Sequence, residues 1–100
     1  MMFELHVCSK KGALLKAFAL GDRQEVIVGR DPSCDIQINS IAVSREHCAI
    51  ESEGGDMFLR DLGSKSGVFV DGHKVDKVRL EDGVIISVGP AVLKFFDAGL

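Results

Sequence analysis

The chain has 100 residues, a formal net charge of −3, and 46% hydrophobic and 27% charged residues. That is enough for one core and too little for two, and it is the balance of a globular chain, not a disordered one. A net-acidic chain with six Phe and neither Trp nor Tyr also argues against nucleic acid as a partner, since phosphates need basic charge and bases need aromatic faces.

The chain opens Met1-Met2-Phe3-Glu4-Leu5-His6, without a charged stretch followed by an apolar one. No apolar run approaches the roughly 20 residues that cross a bilayer. The chain therefore reads as cytoplasmic, or as a piece of a larger cytosolic protein. Residues 3–8 then alternate Phe3, Leu5 and Val7 against Glu4, His6 and Cys8, the pattern of a half-buried strand. Residues 14–20 place Leu14, Lys16, Phe18 and Leu20 on one face at period 2, which predicts a strand there despite their Ala and Leu content.

Further strands are expected at 25–29, 36–38, 47–52, 57–61, 68–70, 84–88 and 92–96. Turn signals punctuate them about every ten residues: Lys11-Gly12, Gly21-Asp22, Asp31-Pro32, Gly54-Gly55-Asp56, Asp71-Gly72, Asp82-Gly83 and Gly89-Pro90. Asp71-Gly72 and Asp82-Gly83 suit turns that need positive φ. This rhythm predicts an all-β domain of two packed antiparallel sheets, with about ten strands. The three cysteines, Cys8, Cys34 and Cys48, are odd in number and sit in apolar segments, as reduced core thiols would.

Three stretches carry chemistry. Gly29-Arg30 closes an apolar run, Ser44-Arg45-Glu46-His47 precedes another, and Asp61-Leu62-Gly63-Ser64-Lys65-Ser66-Gly67 follows a third. Each puts hydroxyl, guanidinium or ammonium donors at a strand end, which is what holding a dianionic phosphate requires. Other readings are poorer. Cys34, His47 and Cys48 make a weak zinc set, because neighbours on a strand point to opposite faces. Gly63 to Gly67 lacks the spacing and following helix of a nucleotide loop. Asp35 and Asp61 fit turn and loop hydrogen bonds better than acid–base work.

Taken in register, Val26-Ile27-Val28-Gly29-Arg30, Cys34-Asp35-Ile36, Val43-Ser44-Arg45-Glu46-His47, Leu59 through Gly72 and Leu80-Glu81-Asp82-Gly83-Val84-Ile85 closely resemble the forkhead-associated (FHA) domain. The match covers about residues 25–96, so the whole of 1–100 reads as one such domain. The resemblance implies a β-sandwich of about eleven strands that binds phosphothreonine peptides through loops at one end, with no catalytic activity, metal or cofactor. It implies that Arg30, Ser44, Arg45 and Lys65 bind phosphate, that Ser66 contacts the peptide backbone, and that Gly29, His47 and Gly67 are structural. Family members usually carry Thr-Asn-Gly where this chain has Lys65-Ser66-Gly67. Two functions thus stay open: a monomeric phosphothreonine reader in kinase signalling, or an assembly domain that works without phosphorylation.

Overall fold

The structure, a computed structural model, describes residues 2–98. They fold into eleven strands: β1 Phe3–Ser9, β2 Leu14–Ala19, β3 Glu25–Gly29, β4 Ile36–Gln37, β5 Cys48–Glu53, β6 Asp56–Asp61, β7 Phe69–Val70, β8 His73–Lys74, β9 Lys77–Leu80, β10 Ile85–Val88 and β11 Ala91–Asp97. One sheet runs β2-β1-β11-β10-β7-β8 and the other β4-β3-β5-β6-β9. Strand neighbours are antiparallel except β3 and β4, which pair in parallel at Val28–Ile36 and Gly29–Gln37. Among the described residues, no helix is long and apolar enough to cross a membrane.

The core lies between the sheets and follows the period of 2. Leu5 and Val7 of β1, Ile86 and Val88 of β10, and Ala91, Leu93 and Phe95 of β11 point inward from one sheet. Val26 and Val28 of β3, Ile50 of β5 and Met57 and Leu59 of β6 meet them from the other. Each Val, Leu, Ile, Phe or Met among them contributes about 1.5–3 kcal/mol when fully buried. Strand β2 departs from the expected pattern. As an edge strand it buries little, and Leu14 and Leu15 stand 57% and 61% exposed.

Two strands lie where none was expected, β8 and β9, within residues 73–80. Between β7 and β8 the turn is two residues, Asp71 and Gly72, with φ of 51° and 77°. Two consecutive left-handed residues make the tight hairpin whose twist matches the flanking strands, as the Asp-Gly pair predicts. The cysteines are free: Cys8 and Cys48 are buried, while Cys34 is only half-buried. Burial pushes the Cys48 thiol up to about 12.

Strand register decides where the loops emerge. Val28 pairs with Cys48, and Cys48 pairs with Asp61. The end of β3, the start of β5 and the end of β6 therefore coincide. Consequently the loops 30–35, 38–47 and 62–68 all leave the same end of the sandwich. Val43 and Val68, both buried, anchor two of those loops in the core.

Candidate functional site

The site begins with a glycine. A Cβ on Gly29 would fall inside contact distance of the Arg45 carbonyl oxygen, 2.8 Å from its carbonyl carbon and 3.0 Å from Cys34 Sγ. Backbone cannot yield as a flexible side chain does, so only glycine lets the 44–45 segment lie against β3. There the Arg30 and Asp31 amides donate to the Ser44 and Arg45 carbonyls, at 3.0 and 3.1 Å. Cys34 Sγ–H donates to the same Arg45 carbonyl at 3.1 Å.

Arg30 follows at once. Its Nε–H donates to the Val43 carbonyl at 3.0 Å, and Gln37 Nε2 donates to the Arg30 carbonyl at 3.1 Å. With Nε–H so held, the half-buried side chain keeps its two terminal nitrogens free of partners among the described residues. A guanidinium in that state can grip two oxygens of one anion at once.

His47 sits beneath, fully buried. Its Nδ1 accepts from the Ser44 amide at 3.0 Å, and its Nε2 lies 2.8 Å from the Gly67 carbonyl. An amide can only donate and a carbonyl can only accept, so these partners assign the neutral tautomer with the proton on Nε2. The His47 backbone meanwhile donates to Val28 at 2.8 Å and accepts from Leu62 at 3.0 Å. One residue thereby ties β3 and both donor-bearing loops together. With both ring nitrogens engaged by the protein, it has none left for a metal.

The third loop is braced from within. Asp61 Oδ1 accepts from the Ser64 hydroxyl at 2.5 Å and the Ser64 amide at 3.2 Å, and Ser64 Oγ accepts from the Gly67 amide at 3.0 Å. Gly67 has φ 84°, the left-handed region, and a Cβ there would lie 3.0 Å from Lys74 Cε. Two bonds then join this loop to the 38–47 loop. The Lys65 amide donates to Ser44 Oγ at 3.0 Å, and Ser66 Oγ donates to the Ala42 carbonyl at 2.7 Å. Because Ser44 Oγ accepts here, its hydroxyl proton remains available for a ligand, and no described residue takes it.

Arg30, Ser44, Lys65 and Ser66 line one cleft of about 420 Å³, together with Ile41, Ala42 and Val43. Lys65 Nζ forms no ion pair among the described residues, whereas Arg60, Lys77 and Arg79 elsewhere are paired. Arg45 is not in the cleft wall. Its side chain is exposed, and its carbonyl is the part that packs. Asp31 is held below the usual carboxylate range chiefly by the Ser33 amide and hydroxyl, with lesser pulls from Arg45 and Arg30. Burial, then Asp31, raises the Cys34 thiol. The sequence did not point to Ala42 and Val43, whose carbonyls, which any residue supplies, accept from Ser66 and Arg30, nor to Ile41, an aliphatic in a loop.

Comparison with known proteins is consistent with this geometry. The family model of the FHA domain matches residues 26–89. Glycogen accumulation regulator GarA of Mycolicibacterium smegmatis is 33% identical over 86 residues, covering 86% of this chain and 54% of GarA. The chain thus spans about half the length of that curated relative. Among solved structures, the FHA domain of CT664 from Chlamydia trachomatis superposes with a TM-score of 0.87 at 28% identity, covering 99% of this chain and 100% of that one. An FHA domain studied for phosphothreonine-dependent interactions superposes with a TM-score of 0.86 at 25% identity, each chain covered in full.

Proposed function

The chain belongs to the FHA domain family, and from that premise we propose that it is a phosphothreonine-dependent protein-interaction module acting in Ser/Thr kinase signalling. The observation that carries the proposal is the convergence of an unpaired guanidinium fork, a free hydroxyl proton and an unpaired ammonium on one cleft. Arg30 takes two phosphate oxygens, Ser44 donates its hydroxyl to one, and Lys65 adds charge from the facing loop. Arg45, outside the cleft wall, contributes field and not a fixed contact. Ser66, its proton held by Ala42, keeps lone pairs that can accept an amide of the bound peptide beside the phosphoresidue.

This is recognition without reaction. The domain works as a monomer in the cytoplasm, where kinases would generate its ligand, a phosphothreonine-bearing protein. A small contact of this kind gives affinity on the order of micromolar. The test is binding of three degenerate peptide pools that share one fixed residue: threonine, phosphoserine or phosphothreonine. Saturable binding of the phosphothreonine pool alone is expected, and equal binding of the unphosphorylated pool would overturn the proposal.

A second reading rests on Ser66. Its hydroxyl proton is spent bridging two loops, so the peptide grip is reduced relative to the amide usual in the family. An assembly domain indifferent to phosphate would keep the bridge and lose the grip. On that reading, partner binding survives Arg30→Ala.

A further inference from the structure

Four strands end the two sheets, β2 and β8 in one, β4 and β9 in the other. An edge strand leaves a row of backbone amides and carbonyls without partners, and folds usually blunt it by shortness or by charge. Here β4 and β8 have two residues each, and β9 carries Lys77 and Arg79, which pair with Glu53, Asp56 and Glu81. β2 is treated differently. It has six residues, five of them exposed, and bears a single charge, Lys16.

The free backbone groups of β2 follow from its register. The Leu20 amide donates to the Phe3 carbonyl at 2.9 Å, and the pairing continues through Leu5–Phe18 and Val7–Lys16. Antiparallel pairs alternate between bonded and non-bonded, so Lys16 and Phe18 bond to β1 while the amides and carbonyls of Ala17 and Ala19 point out of the sheet. A register shift between Val7 and Cys8 ends this regular edge at Lys16. Side chains divide in the same way. Ala17 and Ala19 share one face with His6 and Glu4, their partners on β1, and Lys16 and Phe18 take the other. Charge along the edge is one-sided. Residues 5–21 hold Lys10, Lys11 and Lys16 and no Asp or Glu, in a chain of net charge −3. None of these lysines forms an ion pair among the described residues.

We propose that β2 takes an extended, acidic segment of a partner protein as a seventh strand of its sheet, without phosphate and without the phosphate cleft. Main-chain hydrogen bonds to Ala17 and Ala19 hold the segment, as a sheet edge holds any added strand, and its alternate side chains set the preference. Aliphatic residues lie over Ala17 and Ala19, whose small side chains leave room and beside which the Glu4 carboxylate disfavours acids. Asp or Glu lies opposite Lys16 on the other face, where no carboxylate of the edge competes. Charge also decides against a second copy as occupant. A two-fold pairing of β2 with itself would add three more lysines and no acid to meet them.

The probe is an unphosphorylated peptide pool in which Val, Ile or Leu alternates with Asp or Glu, and in the control pool Lys or Arg replaces the acids. Each is titrated into isotope-labelled wild type, Lys16→Glu, Ala17→Pro and Arg30→Ala, followed by amide shifts and hydrogen exchange. In the free protein the Ala17 and Ala19 amides should exchange fast and the Phe18 amide slowly. The acidic pool is expected to bind the wild type and Arg30→Ala alike, to shift residues 16–19, and to slow exchange at Ala17 and Ala19. Lys16→Glu should weaken that binding about fivefold or more, as an attraction turns into a repulsion. Ala17→Pro should abolish it, since proline removes an outward donor that the fold does not use. Should Ala17→Pro fail to fold, Lys16→Glu decides alone, its side chain being exposed. Equal binding of the two pools, binding unchanged by Lys16→Glu, loss of binding in Arg30→Ala, or no saturable binding by the wild type overturns the proposal. A dimer whose Ala17 and Ala19 amides are protected without peptide would make the occupant a second copy and overturn it as well.

Discussion

At the scale of single residues, two positions shape the site without touching a ligand. Gly29 is fixed by an approach, not by a turn: an added methyl would press on the Arg45 carbonyl. Overpacking of this kind typically costs about 1–3 kcal/mol. Gly29→Ala is therefore expected to lower the melting temperature and weaken phosphopeptide binding together, because the displaced segment carries Ser44. Unchanged melting would show that the 44–45 backbone moves aside freely. His47 is the second such position. Removing its ring strands the Ser44 amide and the Gly67 carbonyl in a buried place, each at about 1–3 kcal/mol. His47→Ala should thus destabilise by about 2 kcal/mol or more in denaturant unfolding, and a loss under half that would place water at both partners.

Much of this was legible in the sequence, for a physical reason. The sequence places hydroxyl and cationic donors near strand ends, and strand register brings those ends together. The family resemblance singled out Arg30, Ser44, Lys65 and Ser66, which line one cleft. Arg45 shows where that logic stops. Its expected contact came from the family resemblance and its charge, and the cleft is lined by Ser44 without it. Ile41 gave no signal at all. An aliphatic in a loop becomes part of the cleft wall only once the fold sets that loop against Ser66, which donates to the Ala42 carbonyl.

At the scale of elements, strands announced themselves when they were long enough to show a period. β1 and β11 alternate over seven residues each. β8 has two residues and no period to read, and β9 (Lys77–Leu80) hides behind Lys77 and Arg79, which face solvent while only Leu80 is fully buried. Edge strand β2 was legible as a strand but not as an exposed one, since edge position depends on topology. Charged cross-strand pairs also belong to this scale. Arg60 on β6 grips Glu51 on β5 through Nε at 2.8 Å and Nη2 at 3.3 Å. That hydrogen bond and the attraction behind it hold the Glu51 carboxyl below its usual range. A carboxyl lowered on folding stabilises the fold above its unfolded value, about 4.3, and the contribution disappears as the pH falls through the folded value. Asp31, lowered mainly by its Ser33 bonds, acts in the same direction. The melting temperature should be flat above about pH 5 and fall below about pH 4. Glu51→Gln should make that fall shallower, and an identical profile would mean the pair is screened out in solution.

At the scale of the whole molecule, the sandwich is a rigid frame that delivers three loops to one end. A net-acidic protein has gathered Arg30, Arg45 and Lys65 there, with the Arg30 fork and the Lys65 ammonium left unpaired. Unpaired cations near one another repel, so the arrangement favours occupancy by an anion. A phosphate ester carries its second charge only above a pKa of about 6. Phosphopeptide affinity should accordingly weaken as the pH drops through that value, while the fold itself persists to lower pH.

The most direct measurement is a titration of a degenerate phosphothreonine peptide pool into isotope-labelled protein, followed by amide shifts in the wild type and in Arg30→Ala. Saturable shifts at Ser44, Lys65 and Ser66 that vanish in Arg30→Ala are predicted, with Arg30→Ala losing only about 1 kcal/mol of stability from its bond to Val43. Shifts that persist in Arg30→Ala, or that cluster away from the cleft, would contradict the assignment of this end of the sandwich as a phosphate site.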